Sequence, residues 1–112
     1  MKLRGKIWVE EGGEHVFGKG RAALLEAVER EGSIQGAARR MGVSYRHAWS
    51  MLRASERRCG RKLVETSRGG RAGGGARVTD FGRALCETFH RLDSRLEKLL
   101  KELRDETDRL GG

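Results

Sequence analysis

The spacing of apolar and polar positions along this 112-residue chain divides it into a series of short elements. Residues 6–10 (KIWVE) alternate apolar and polar side chains, a Glu-Gly-Gly turn signal follows, and residues 14–17 return, so a small β-hairpin is predicted. Residues 21–31 (RAALLEAVERE) repeat apolar side chains at helical spacing. Gly32 is expected to end that helix, as a glycine just past the last helical residue commonly does.

Two further helical patterns follow and are separated by a glycine. Ser33 is a suitable N-cap for a helix over residues 34–41, Gly42 breaks that helix, and Ser44 caps a third helix that runs to about residue 59. Two helices joined by a short turn that contains glycine, with small residues where they cross, are typical of a helix-turn-helix. The alternative for this segment is an ordinary helical hairpin.

The second helix of this pair has an apolar stripe and a polar outer face. Ala48, Leu52 and Cys59 are expected to point inward, and Trp49 suits both packing and contact, with packing favoured. The outer face carries groups that read DNA, since arginine bonds guanine O6 and N7 together, serine and histidine make single hydrogen bonds, and tyrosine reaches a phosphate. The DNA-contact candidates of the two helices are Ser33, Gln35, Ser44, Tyr45, Arg46, His47, Ser50 and Arg53.

A basic, glycine-rich segment lies between two short strand patterns, at residues 63–66 and 77–79. Residues 66–79 (TSRGGRAGGGARVT) hold five glycines, three arginines and no acid. Ordering so many glycines costs backbone entropy, which binding to a partner would offset. Strand, basic loop and strand directly after a helix-turn-helix are typical of the wing of a winged-helix domain, which follows the nucleic-acid backbone. The DNA-contact candidates of this segment are Thr66, Arg68, Arg71 and Arg77.

Positive charge is concentrated in the part of the chain that holds these candidates. The whole chain has a formal net charge of +8. Residues 33–78 carry eleven Lys or Arg and only two acids, Glu56 and Glu65, whereas the rest of the chain is close to neutral. One basic block favours a surface that binds a polyanion, with a solvated charged face as the alternative. We expect double-stranded DNA to be the partner.

Other classes of protein find little support in the sequence. No apolar stretch of signal-peptide type follows the basic N-terminus, and no run approaches the roughly 20 apolar residues that span a bilayer, so a cytoplasmic protein with no membrane partner is expected. Cys59 and Cys86 are expected to be reduced, buried thiols, and no cysteine or histidine spacing fits a metal site. The sequence GKGRAA at residues 18–23 has the form of a dinucleotide-binding turn, but a helix follows where that fold needs a second strand. Catalytic residues, a cofactor and a metal are therefore not predicted, and an enzyme is not expected.

The C-terminal part, residues 79–110, predicts one long helix with an apolar seam. Leucine and phenylalanine recur at alternating three- and four-residue steps, with only Glu106 interrupting them, which indicates a coiled-coil contact with a second copy of the chain. In the alternative, this helix packs wholly on its own domain through Phe81, Leu85 and Phe89, and the later leucines stay exposed. The predicted homodimer contacts are Leu85, Phe89, Leu92, Leu96, Leu99, Leu103 and Leu110, in parallel or antiparallel pairing.

Residues 32–82 also resemble a known family. The stretches GSIQGAARRMGVSYRHAW and LVETSRGGRAGGGARVTDFG are similar to the N-terminal domain of the ModE-type molybdate-responsive transcriptional regulators, which are related to the LysR-type DNA-binding domain. The resemblance implies a dimeric winged helix that binds operator DNA, with molybdate sensed by a separate C-terminal domain. Because the chain ends soon after Leu110, we expect no oxyanion-sensing domain here, and an effector would act through a separate effector-sensing protein.

These patterns predict a mainly α protein with small β-hairpins. Residues 1–80 form a winged helix-turn-helix, and residues 81–110 continue it as a long C-terminal dimerisation helix. The predicted function is dimeric, sequence-specific transcriptional regulation through DNA binding. Two alternatives stay open: a nucleoid-type protein that coats DNA through its phosphates without reading sequence, and a coiled-coil adaptor whose basic face meets an acidic protein.

Overall fold

The computed structural model describes residues 1–67 and 74–111, and within them the chain forms two antiparallel β-hairpins and four helices. This architecture confirms the predicted mainly α class with small hairpins and a long last helix. Within the described residues, none of the helices is both long and apolar enough to cross a membrane. In chain order the elements are β1 (Val9–Glu11), β2 (Glu14–Phe17), α1 (Lys19–Glu31), α2 (Ile34–Met41), α3 (Tyr45–Cys59), β3 (Val64–Ser67), β4 (Gly75–Val78) and α4 (Asp80–Gly111).

Serine and glycine set the ends of α2 and α3, the predicted helix-turn-helix. The Ser33 and Ser44 hydroxyl oxygens each accept a hydrogen bond from the backbone N–H three residues later, at 2.9 Å and 3.0 Å. Gly42 ends α2 with a φ of 71°, a left-handed conformation that other residues rarely adopt. Both helices are confirmed with the predicted bounds, whereas α1 begins at Lys19, two residues before its predicted start.

The strands begin and end at residues other than the predicted ones, because residues predicted to lie in strands make contacts with other parts of the fold. The sequence pattern places Thr79 in a strand, but its hydroxyl donates to the Lys62 carbonyl at 2.7 Å and accepts from the backbone N–H three residues later, so it caps α4. β1 begins at Val9, not at residue 6, because the preceding segment lies along α4, where Arg104 donates to the Leu3 carbonyl at 3.0 Å. β3 and β4 begin one residue later and two residues earlier than predicted.

The core surrounds α1 and receives apolar side chains from both hairpins and all four helices. Phe17 of β2 and Phe89 of α4 meet edge to face with ring centroids 5.7 Å apart. Leu52 fixes the inner face of α3 in this core, where burial of such a side chain contributes about 1.5–3 kcal/mol. Ser55 is a buried polar side chain on α3, and its hydroxyl donates to the Val16 carbonyl of β2. The core thus holds α3 with its opposite face outward.

The two cysteines are free thiols with different surroundings. Cys86 is buried on α4, and burial, together with the carboxylates of Glu26, Glu29 and Glu87, raises the pKa of its thiol to about 11. Cys59 is only half-buried because it lies in the last turn of α3, so the prediction that it is buried is wrong.

Two parts of α4 differ in what covers them. Its first turns cross α1, where Phe89 is 2% exposed and Leu85 is half-buried against the same core. The prediction of Phe89 as a dimer contact is therefore wrong, since a regular apolar seam does not distinguish the protein's own core from a partner. Farther along, Leu100 is 6% exposed because the N-terminal segment around Gly5 lies against it. Of the other predicted seam leucines, Leu96 and Leu103 are half-buried, and Leu92, Leu99 and Leu110 are exposed.

Candidate nucleic-acid interface

The outer face of α3 carries five of the twelve side chains predicted to contact DNA. On the inner face, Ala48 and Leu52 are fully buried, which fixes the rotation of the helix about its axis. The exposed candidates on α3 are Tyr45, Arg46, His47, Ser50 and Arg53. The structure places them on an accessible surface, as helical periodicity predicted, and their contact with DNA stays a prediction.

Two of the predicted hydroxyl contacts already have a structural use. The Ser33 side chain is half-buried and the Ser44 side chain is exposed, and each oxygen accepts the capping hydrogen bond of its helix. A capping hydroxyl keeps its own proton for donation, so either serine can still donate to a phosphate oxygen. Gln35 lies exposed in the first turn of α2, and its amide makes no hydrogen bond to another side chain within the described part of the chain.

A groove between α2, α3 and the β3–β4 hairpin brings together candidates that lie far apart in sequence. Gln35, Tyr45 and Thr66 line this groove, whose volume is about 320 Å³. Trp49 and Ser67 line it as well, and the sequence pattern did not single out either as a contact. The four-residue spacing between Tyr45 and Trp49 was the available signal, since it places both rings on one helix face, where they meet edge to face at 6.4 Å.

Arg77 is not brought together with the α3 candidates. The pairs Glu65–Arg77 and Thr66–Ala76 are neighbours in the ladder, so their side chains point to opposite faces of the hairpin. Thr66 faces the groove, whereas Arg77 forms an ion pair with Glu65 at 2.9 Å on the other face. Arg68 and Arg71 lie outside the described residues.

Both acids of the basic block are bound to partners within the fold. The Glu56 carboxylate accepts hydrogen bonds from the backbone N–H groups of Leu63 at 2.8 Å and Val64 at 3.3 Å, which attaches β3 to α3. Glu65 is paired with Arg77. Among the described residues, Arg46 and Arg53 make no ion pair, so the outer face of α3 keeps uncompensated positive charge.

Some basic residues near α3 serve the fold. Arg58 pairs with Glu14 at 2.9 Å and donates to the His15 carbonyl at 2.6 Å, which joins α3 to the first hairpin. Arg21 donates to the Met51 carbonyl at 3.4 Å, and burial, followed by the charge of Arg58, lowers its pKa. Burial also lowers the pKa of His15, with further contributions from the charges of Arg21 and Arg58.

The fold and this surface together define a class of protein. A helix-turn-helix whose second helix carries exposed arginines, followed by a two-stranded hairpin, is the arrangement of a winged helix-turn-helix DNA-binding transcriptional regulator. The model of the family described as "Bacterial regulatory helix-turn-helix protein, lysR family" matches residues 21–83. The chain belongs to that family.

Two curated relatives confirm the resemblance to ModE-type regulators. The molybdenum-pterin-binding protein MopA of Rhodobacter capsulatus is 42% identical over 92 residues, which cover 82% of this chain and 35% of MopA. The DNA-binding transcriptional dual regulator ModE of Escherichia coli K12 is 33% identical over 86 residues, which cover 77% of this chain and 33% of that protein. The chain thus spans about a third of the length of these relatives.

A solved structure supports the same fold. The crystal structure of the CbnR_DBD-DNA complex is similar with a TM-score of 0.54 and 25% identity, over 83% of this chain and 97% of that chain. In that crystal the protein is bound to DNA. The winged helix-turn-helix fold of the present chain is therefore one that a DNA-bound protein also adopts.

Proposed function

We propose that this protein is a dimeric, sequence-specific transcriptional regulator that reads operator DNA with the outer face of α3. The observation that supports this most strongly is the pair of exposed arginines, Arg46 and Arg53, which make no ion pair among the described residues. An arginine fork matches guanine O6 and N7 in the major groove. We further propose that the protein acts without catalysis, in the cytoplasm, where its DNA partner lies.

The residues around α3 would hold the backbone of the duplex. Gln35, Tyr45 and Thr66 surround the groove beside α3, so a phosphate lying there would find amide and hydroxyl donors. Phosphate contacts set the orientation of the helix, whereas base contacts supply the sequence preference. Binding would weaken with added salt because each neutralised phosphate releases a counterion.

Dimerisation would occur through α4. Leu92 and Leu99 lie two helical turns apart on this helix and are 43% and 49% exposed. A second copy of the chain would bury them. A two-fold axis through paired α4 helices would present two α3 helices to one side of the duplex. The operator would then be an inverted repeat with half-site centres about 34–36 Å apart or a multiple of that distance.

The experiment that tests the proposal is selection of bound sites from a random DNA library, followed by competition between the selected site and random DNA. A sequence reader should prefer its selected site by about a thousandfold or more. A protein that coats DNA through phosphates would show almost no preference. Absence of DNA binding at moderate salt would instead favour the coiled-coil adaptor.

A further inference from the structure

Three side chains form a stacked row along the outer face of α3. Tyr45, Trp49 and Arg53 follow one another at four-residue steps, so each lies one turn from the next. The Arg53 guanidinium carbon is 4.6 Å from the centroid of the Trp49 ring, and the Tyr45 ring meets Trp49 edge to face at 6.4 Å and 85°. An arginine side chain in the middle of the basic block thus rests on an aromatic ring.

The Trp49 ring is a fixed support, because it is half-buried and packs against the hydrophobic core. Arg53 is exposed, and an exposed arginine ordinarily samples many rotamers, which costs entropy when a ligand orders it. Stacking on an aromatic face restricts that sampling and attracts the cation to the ring. Arg46 provides a contrast on the same helix, since among the described residues it stacks on no ring.

We propose that Trp49 is a positioning residue for base readout, which holds the Arg53 fork ready for guanine and so sets the sequence preference at the base that Arg53 reads. The inference rests on the proposed function, because it assumes that Arg53 faces DNA. A bidentate contact needs the guanidinium plane in one orientation, and a preorganised side chain loses less freedom on binding. Phosphate contacts made by other residues do not depend on that orientation.

The test compares four variants: Trp49→Phe, Trp49→Leu, Arg53→Ala and the double variant Trp49→Leu/Arg53→Ala. Trp49→Leu keeps an apolar side chain on the core but removes the ring, and we expect it to weaken the selected site about two- to fivefold more than it weakens random DNA. Trp49→Phe should restore most of that loss. In the Arg53→Ala background, Trp49→Leu should have no further effect on the selected site.

Trp49→Leu combined with Arg46→Ala is the matched control, and their losses should simply add because Arg46 does not rest on the ring. Equal weakening of selected and random DNA by Trp49→Leu would overturn the proposal, as would an undiminished loss in the Arg53→Ala background. Thermal melts of every variant establish that the fold is intact, and Trp49→Met, which also removes the ring, carries the test if Trp49→Leu does not fold.

A measurement on the protein without DNA separates this inference from the proposed function. The ¹⁵N order parameter of the Arg53 Nε–H group, assigned by comparison with Arg53→Ala, should be high in the parent and in Trp49→Phe and should fall in Trp49→Leu. If the parent prefers no DNA sequence, the proposed function fails and base readout by Arg53 fails with it, whereas this order parameter still reports whether Trp49 orders the Arg53 side chain. An Arg53 group as mobile in the parent as in Trp49→Leu would overturn the positioning role.

Discussion

Ser55 occupies a position that helical spacing assigns to the core of α3, seven residues after Ala48 and three after Leu52. A serine is tolerated there because its buried hydroxyl has a partner, the Val16 carbonyl, to which it donates. The sequence predicted the inner stripe from its apolar members but gave no sign of this polar one, since the acceptor lies 39 residues away in the chain.

Replacing Ser55 by alanine should lower the free energy of unfolding by about 1–3 kcal/mol, because it removes a buried hydrogen bond between α3 and β2. Ser50→Ala is the matched control, since Ser50 is exposed on the same helix, and its effect should stay within about 0.5 kcal/mol. Urea denaturation of both variants measures the difference. Equal stabilities would contradict a structural role for the buried hydroxyl.

His15 is the residue from which we expect a pH dependence of stability. Burial, Arg21 and Arg58 lower the pKa of His15 in the folded protein below its ordinary value of 6.5. As the pH falls through 6.5, His15 takes up a proton more readily in the unfolded chain than in the folded protein. The free energy of unfolding should therefore fall as the pH is lowered from about 7. His15→Gln should flatten this dependence in thermal melts between pH 5 and 7. A parent and variant with parallel melting profiles would show that His15 does not cause it.

At the scale of elements, the junction between the β3–β4 hairpin and α4 allows no additional side-chain volume. Gly82 is buried in the first turns of α4, and a Cβ there would lie 2.6 Å from the Leu63 carbonyl oxygen. Thr79 closes the same junction through its hydrogen bond to Lys62. The glycine therefore sets how closely α4 approaches the hairpin.

Gly82→Ala should cost about 1–3 kcal/mol of stability, because a backbone oxygen must move to admit the methyl group. Gly20→Ala is the control, since Gly20 lies in α1 and no atom of the described residues comes within 4 Å of the added Cβ. This variant should be neutral or stabilise by up to about 1 kcal/mol. Chemical denaturation measures both. A Gly82→Ala protein as stable as the parent would mean that the junction relaxes.

The helices could be predicted from the sequence more closely than the strands, for a physical reason. Ser33, Gly42 and Ser44 act within three residues of themselves, so the bounds of α2 and α3 follow from local sequence. The ends of β1 and β4 depend on distant partners, such as the Leu3 carbonyl beside α4 and the Thr79 hydroxyl beside Lys62. Local pattern does not contain those contacts.

The exposed positions of the site could be predicted from the sequence, whereas the contacts between its side chains could not. Helical periodicity placed Arg46 and Arg53 on the exposed face of α3, but it did not indicate that Trp49 supports Arg53, because a half-buried tryptophan reads as core. The orientation of Arg77 away from the groove follows from the register of the β3–β4 pair. The sequence of a glycine-rich loop does not determine that register.

At the scale of the whole molecule, α4 decides whether two copies act together. Leu92→Glu combined with Leu99→Glu should convert a dimer to a monomer, because both leucines are exposed in the single chain and charge would oppose their burial against a partner. Lys101→Glu is the control, since it makes the same change in net charge at an exposed position on another side of α4. Sedimentation at tens of micromolar measures the assembly. A parent that sediments as a monomer would remove the dimer from the mechanism.

Competition binding of arginine variants measures whether the outer face of α3 reads a DNA sequence. Arg46→Ala and Arg53→Ala should each cost on the order of 1–3 kcal/mol on the selected site and much less on random DNA, because a base contact is lost. Arg91→Ala, an exposed arginine on α4, should leave the ratio between the two DNAs unchanged. We expect the parent to prefer its selected site by about a thousandfold, and we expect that preference to be smaller in both α3 variants. Equal losses on selected and random DNA, or a parent without a preference, would contradict sequence reading by α3.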